Sequence, residues 1–201
     1  MKRHPAVIAL PGIVVAACAF GFWYMREQWL NKRMLCAMND ARQIYAATHY
    51  TGDDDWRRAL KWDPADRWPR SDAPARFQTS TQFLQWLMEN KIFSVEPNFF
   101  SEPGLPPGRG DELKSECNAW CVVELSGHAP DAPDIPILFS RNLKITRLDD
   151  PVEGALSDEP PFGRRGVVLI THRGRSHVLR GEKRVIEFFT GINATNRVLR
   201  P

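Results

Sequence analysis

Cysteine is scarce in this chain: Cys18, Cys36, Cys117 and Cys121 are four among 201 residues. That excludes a scaffold built on disulfides. An extended chain would hold Cys117 and Cys121 about 13 Å apart, too far to bond, so a bridge between them requires a tight turn. A single C-x3-C without a second pair is a weak zinc pattern. Buried, reduced thiols are the expectation for both.

Other absences narrow the chemistry. There is no phosphate-cradling glycine loop and no H-E-x-x-H. No G-x-S-x-G elbow accompanies Ser126-Gly127-His128 or Ser176-His177. Asp53-Asp54-Asp55 and Asp149-Asp150 lack the ligand spacing of a calcium loop and read as solvated turns. Arg109-Gly110-Asp111 is too short a motif to carry an adhesion reading. Cys121 follows Trp120 in an apolar stretch, where a thiol is inert. His172 and His177 flank a short loop, but the sequence names no third ligand or acid beside them. No active site, cofactor or metal site is expected.

A basic surplus is absent from the body. The first fifty residues hold six of the 27 basic side chains and two of the 24 acidic ones. The remainder is nearly balanced, 21 against 22. Basic charge around one apolar segment is the pattern of a membrane flank, not of a nucleic-acid face.

That segment is what the sequence does have. Ala6 to Met25 is a run of 20 residues without a charge. About 20 apolar residues span a bilayer core as a helix. The expected anchor side chains are Val7, Ile8, Leu10, Ile13, Val14, Val15, Phe20, Phe22, Trp23 and Tyr24. The last three stand beside Arg26, as aromatics do at a membrane–water interface. Gly12, Ala16, Ala19 and Gly21 offer small residues for close helix packing, or simply line lipid.

Two rivals compete for the same stretch. Lys2-Arg3-His4 suits the start of a signal peptide, and Val15-Ala16-Ala17-Cys18 resembles a lipid-attachment site. A cleaved signal turns polar after an apolar core of about 7–15 residues. Here seven apolar positions follow Cys18. Retention of the segment is therefore favoured over cleavage, and an extracytoplasmic lipoprotein or tethered binding module lipidated at Cys18 is the alternative. A small anchored enzyme using His172 and His177 is a third reading.

No proline or glycine interrupts the chain between Gly21 and Gly52. Leu30, Met34, Met38, Ala41 and Tyr45 recur at helical spacing and form one apolar stripe. Thr48 and His49 are polar and end it. One helix is predicted over residues 6–50, about 67 Å long at 1.5 Å per residue. Residues 1–5 form a short basic tail, 6–25 the membrane half, 26–50 the amphipathic half and 51–201 the head. The charge flanks do not fix orientation. A cytoplasmic tail with the head outside leaves only a few residues behind.

In the head, residues 51–79 read as turns and loops. Thr79-Ser80-Thr81-Gln82 fits a capping box for a helix to about Asn90, with Phe83, Leu84, Leu87 and Met88 buried. Residues 94–116 form a loop rich in proline and glycine. Strands are predicted at 119–125, 135–140, 166–172 and 176–180, the last two as a hairpin. Pro136 must start its strand or lie at an edge. Residues 182–189 read as a strand or a short helix. The fold class is α+β, with the stripe covering a small antiparallel sheet.

This layout resembles the type IV pilin and type II secretion pseudopilin superfamily. Asn39-Asp40-Ala41-Arg42-Gln43-Ile44-Tyr45-Ala46-Ala47 is similar to the N-x-x-x-Q-I-x-x-A segment of the long helix in pseudopilin-like proteins. Asn118-Ala119-Trp120-Cys121-Val122-Val123, Pro136-Ile137-Leu138-Phe139-Ser140-Arg141-Asn142 and Phe162-Gly163-Arg164-Arg165-Gly166-Val167-Val168 look like stretches of the head. The resemblance implies a non-enzymatic, single-pass protein of a bacterial inner membrane. Its head would lie on the extracytoplasmic side. Its partners would be lipid, other pilin-like subunits or inner-membrane secretion proteins. The chain departs from the family's peptidase site: Ile13 follows Gly12, and Ala17 stands where the family carries glutamate.

Overall fold

The computed structural model describes residues 6–49, 68–69, 77–125, 134–192 and 194–201, with helix side chains at the start of the chain from Val14 to Thr48. The turns expected at Asp53-Asp54-Asp55 and Asp63-Pro64-Ala65-Asp66, and the Ser126-Gly127-His128 adjacency, lie outside these residues. The fold is α+β: a long N-terminal helix packs on a five-stranded antiparallel sheet.

Helix α1 spans Ala6–His49. Its second half buries Met34, Ala37, Ala41, Ile44 and Thr48 at steps of three and four residues, which is one face of a 3.6-residue helix. Thr48 does not end the stripe as expected. It is 2% exposed, and its hydroxyl donates back to the carbonyls of Ile44 and Tyr45 at 3.1 and 2.8 Å. A threonine that satisfies its own oxygen on the preceding turn can be buried like an apolar residue.

Helix α2, Ser80–Glu89, begins as the capping pattern predicts. The Thr79 side chain accepts from the Gln82 amide at 3.2 Å. The Gln82 side chain reaches back one residue further than a capping box, to the Gln78 amide. Phe83, Leu84 and Leu87 are fully buried, while Met88 is half-buried against the same core. A 3-10 turn at Pro97–Phe100 follows.

The sheet contains β1 Trp120–Val123, β2 Pro136–Ser140, β3 Gly166–Thr171, β4 Ser176–Arg180 and β5 Val198–Leu199. Their order is β4-β3-β2-β1-β5. Pro136 opens β2, as its missing amide requires, although β2 is an inner strand. Residues 181–190 form helix α3, Gly181–Thr190, rather than a strand. Its buried residues Val185 and Phe189 are four apart, which suits a helix face.

Both faces of the sheet are covered. Trp120, Val122, Val168 and Ile170 point into a core shared with α1 and α2. Cys121, Val123, Val167 and Leu169 point into a second core closed by α3 and residues 143–156. Strands buried on both sides read as continuous apolar runs, which is why their existence, but not the second cover, was visible in the sequence.

Strand β5 pairs with β1 at Val122 and Val123. Two residues give no periodic signal, and it was not anticipated. The chain end is nevertheless tied down. The Arg200 guanidinium donates to the carbonyls of Arg141, Leu143 and Ile145, and the Arg200 carbonyl accepts from the Ser80 amide at 3.0 Å.

Two polar anchors lie inside the motifs quoted above. Asn118 donates to the hydroxyls of Ser80 and Thr81 at 3.1 Å each and accepts from the Trp120 amide at 2.9 Å. Asn142 donates to the carbonyls of Gly163 and Gly166 at 2.7 and 2.8 Å. Each fully buried side chain fixes a loop to the sheet, so these motif positions have a structural role.

Candidate functional site

The candidate site is α1 itself, with the loops that grip it. From Val14 to Met25 no other described residue covers the helix. Phe20, Phe22 and Trp23 are 65%, 67% and 55% exposed, and Val14, Val15, Tyr24 and Met25 are similar. Residues 22–25 are consecutive, so their side chains point round the helix in steps of about 100°. The apolar surface therefore encircles this stretch. Val7, Ile8, Leu10 and Ile13 belong to the helix, but their side chains lie outside the described residues. Among the described residues no helix is long and apolar enough to cross a membrane. Those side chains begin at Val14, whereas the uncharged run begins at Ala6.

The body first takes hold near Glu27. Its carboxylate accepts from the Arg165 guanidinium at 2.5 Å. Beyond it, the expected stripe residues Leu30, Met34, Met38, Ala41 and Tyr45 all meet the core under the sheet. Met34 and Ala41 are buried, while Leu30, Met38 and Tyr45 are half-buried. The fully covered centre of the stripe also includes Ala37 and Ile44. Ala41 belongs to the expected stripe, whereas Ala37 and Ile44, on the same face and fully buried, were not anticipated.

At the far end of the packed half, α1 grips the β3–β4 hairpin. The Tyr45 hydroxyl donates to the His172 carbonyl at 3.0 Å. Arg42 donates to the Ser176 hydroxyl at 2.7 Å. Gly174 adopts φ +76, and a β-carbon there would stand 3.0 Å from the Tyr45 ring. Glycine supplies both the left-handed turn and the clearance.

Two concavities flank α1 on its other sides. In one, of about 530 Å³, Lys32, Arg33, Cys36 and Asp40 face the segment from Asn98 to Pro107. Glu102 lies there, 7% exposed. Its Oε1 has no hydrogen-bond partner among the described residues. Burial pushes its pKa up to about 8, with the Asp40 charge adding to the rise and Arg33 opposing it. Asp40 is itself raised by burial. At neutral pH Glu102 is therefore mainly a neutral acid between helix and loop.

The second concavity, of about 490 Å³, lies between residues 26–33 of α1 and the loop 158–165. Arg26, Arg33, Arg164 and Arg165 line it, together with Trp29 and Asp158. Arg164 pairs with Asp158 at 3.3 Å and Arg165 with Glu27. The Arg33 guanidinium lies 4.7 Å from the Trp29 ring centre. Sequence reading missed both concavities, since each joins α1 to a segment more than fifty residues away. Only the spacing Arg26, Trp29, Arg33, one helix face, was visible.

The histidines do not converge. His172 Nδ1 lies 3.4 Å from Asp134 Oδ1, which supplies the acid the sequence could not name. Burial still holds His172 below the usual histidine range, against the pull of Asp134. His177 instead lies beside Phe188 of α3, ring centres 5.2 Å apart. Among the described residues no three histidine, cysteine or acidic side chains are arranged to hold a metal. All four cysteines are free; Cys117 and Cys121 are buried, Cys18 and Cys36 exposed. Burial raises the Cys121 thiol to about 11, so at neutral pH it is not a thiolate.

No protein family, curated protein or solved structure matches the chain.

Proposed function

We propose that this chain is a membrane-anchored, non-enzymatic structural or assembly protein of pilin-like design. The observation that carries the reading is the division of α1. From Val14 to Met25 it exposes apolar and aromatic side chains all round, while its second half is clamped into the head. An uncovered apolar girdle of this kind is stable in lipid and a liability in water. Together with the uncharged run from Ala6 to Met25, it supports one membrane crossing ending at Arg26. The head would then stand outside the cytoplasmic membrane, offering its loops and the exposed flank of α1 to other pilin-like subunits or secretion-system membrane proteins.

The absent peptidase pattern, Ile13 after Gly12 and Ala17 in place of glutamate, favours an anchor that stays whole. The intact mass of the chain purified from bacterial membranes tests this. An unprocessed start, or cleavage after Gly12, supports the anchor. A diacylglycerol adduct on a chain beginning at Cys18 would establish the lipoprotein instead.

A further inference from the structure

We infer that the groove between residues 26–33 of α1 and the loop 158–165 seats the phosphate headgroup of an anionic phospholipid. The inference rests on the membrane reading of α1 and adds a second point of contact, made by the head.

Position is the first argument. Arg26 follows directly on the uncharged run, so it enters the headgroup layer when that run lies in lipid. This layer is about 5–8 Å deep on each side of the hydrocarbon core. At 1.5 Å per residue, Arg26 to Leu30 covers about 6 Å. Loop 158–165 lines the groove at this level, and Glu27 bonded to Arg165 fixes it there.

Charge is the second. Four guanidinium groups meet two carboxylates, Glu27 and Asp158. Neither ion pair in the groove uses Arg26 or Arg33; Arg33 feels the largely neutral Glu102 in the neighbouring concavity. The Arg164 side chain is 62% exposed and its partner Asp158 83%, so that pair is loosely held and can exchange its carboxylate for a phosphate. A planar guanidinium meets phosphate oxygens in a two-point contact. Trp29 adds an aromatic ring at the depth where tryptophan favours the membrane interface. An acidic peptide would satisfy the charges, but only a lipid headgroup accounts for their level beside the apolar girdle.

The test uses the full chain in vesicles of phosphatidylcholine alone and of equimolar phosphatidylcholine and phosphatidylglycerol. Flotation after a carbonate wash reports insertion. Native mass spectrometry after gentle detergent extraction reports which lipids remain bound. Insertion in both vesicles, with phosphatidylglycerol enriched over phosphatidylcholine, is expected. Arg26→Gln or Arg164→Gln should each reduce that enrichment about fivefold, whereas Arg26→Lys, which keeps the charge but not the two-point contact, should fall between the parent and Arg26→Gln. Circular dichroism matching the parent chain shows that each variant is folded. Insertion without enrichment overturns the inference and leaves the anchor standing. Loss of the chain from both vesicles overturns the anchor and the inference with it. A change in oligomeric state with unchanged lipid retention assigns the groove to a second copy and overturns the lipid.

Discussion

The Tyr45 hydroxyl donates to the His172 carbonyl at 3.0 Å, joining two residues 127 positions apart. This bond, with Gly174 beneath the ring, ties the end of the long helix to the β3–β4 hairpin. Tyr45→Phe keeps the ring and removes the donor. The variant should lose about 1 kcal/mol of stability, the usual net contribution of a neutral hydrogen bond. Urea denaturation of the full chain in a non-ionic detergent measures it, as a lower midpoint at unchanged slope. Tyr45→Ala also removes the ring and should cost about 3 kcal/mol.

Gly166 starts β3 at φ +151, and a β-carbon there would lie 2.0 Å from the Leu179 carbonyl oxygen. Neither backbone can retreat without breaking the hairpin ladder. Gly166→Ala should therefore cost about 3 kcal/mol or more. Gly154 has φ +72 but open space around it. Its alanine variant should cost only about 1 kcal/mol. Thermal unfolding of both variants, followed by circular dichroism, separates strain from collision.

Glu102 gives the chain a pH dependence of definite sign. Its folded pKa is about 8, above the ordinary 4.5. Between those values the folded state holds a proton that the unfolded chain has lost, so stability falls as pH rises from about 4.5 to about 8 and then levels. The span is on the order of 5 kcal/mol. His172, held low, works in the opposite direction near its ordinary value of 6.5. Asp149, Asp150 and Glu159, all lowered, matter only below that window. Glu102→Gln isolates the effect: it should gain stability over the parent at pH 8 and little at pH 4.5. An equal shift at both pH values would place the cause in packing instead.

What the sequence revealed follows from the range of each signal. The stripe from Leu30 to Tyr45, the Thr79 cap and the β3–β4 hairpin are local patterns, and all three stand. Thr48 was misread because its oxygen is satisfied by its own helix, a bond that hydropathy does not register. Strand β5 has no pattern of its own; it exists because β1 offers an open edge and Arg200 finds three carbonyls. The two concavities beside α1 were illegible for a related reason. Glu102 and Arg165 reach the helix across loops whose path no periodicity describes. Asn118 and Asn142 were quoted as parts of motifs, and only their buried partners explain why the motifs contain them.

Four cysteines report both the fold and the proposed topology without any added probe. Cys117 and Cys121 are buried in the head, and the Cys121 thiol is raised to about 11. Cys18 and Cys36 are exposed on α1, 18 residues or about 27 Å apart along the helix. A thiolate is required for rapid maleimide addition. In detergent with small maleimides, Cys36 should label readily, Cys18 more slowly because the micelle covers it, and Cys117 and Cys121 only after unfolding. In vesicles with a membrane-impermeant maleimide, Cys36 should label while Cys18 is protected within the hydrocarbon. Equal labelling of the two in vesicles would place residues 6–25 in water and remove the anchor. Protection of both would place the start of the packed half in lipid and move the crossing towards the head.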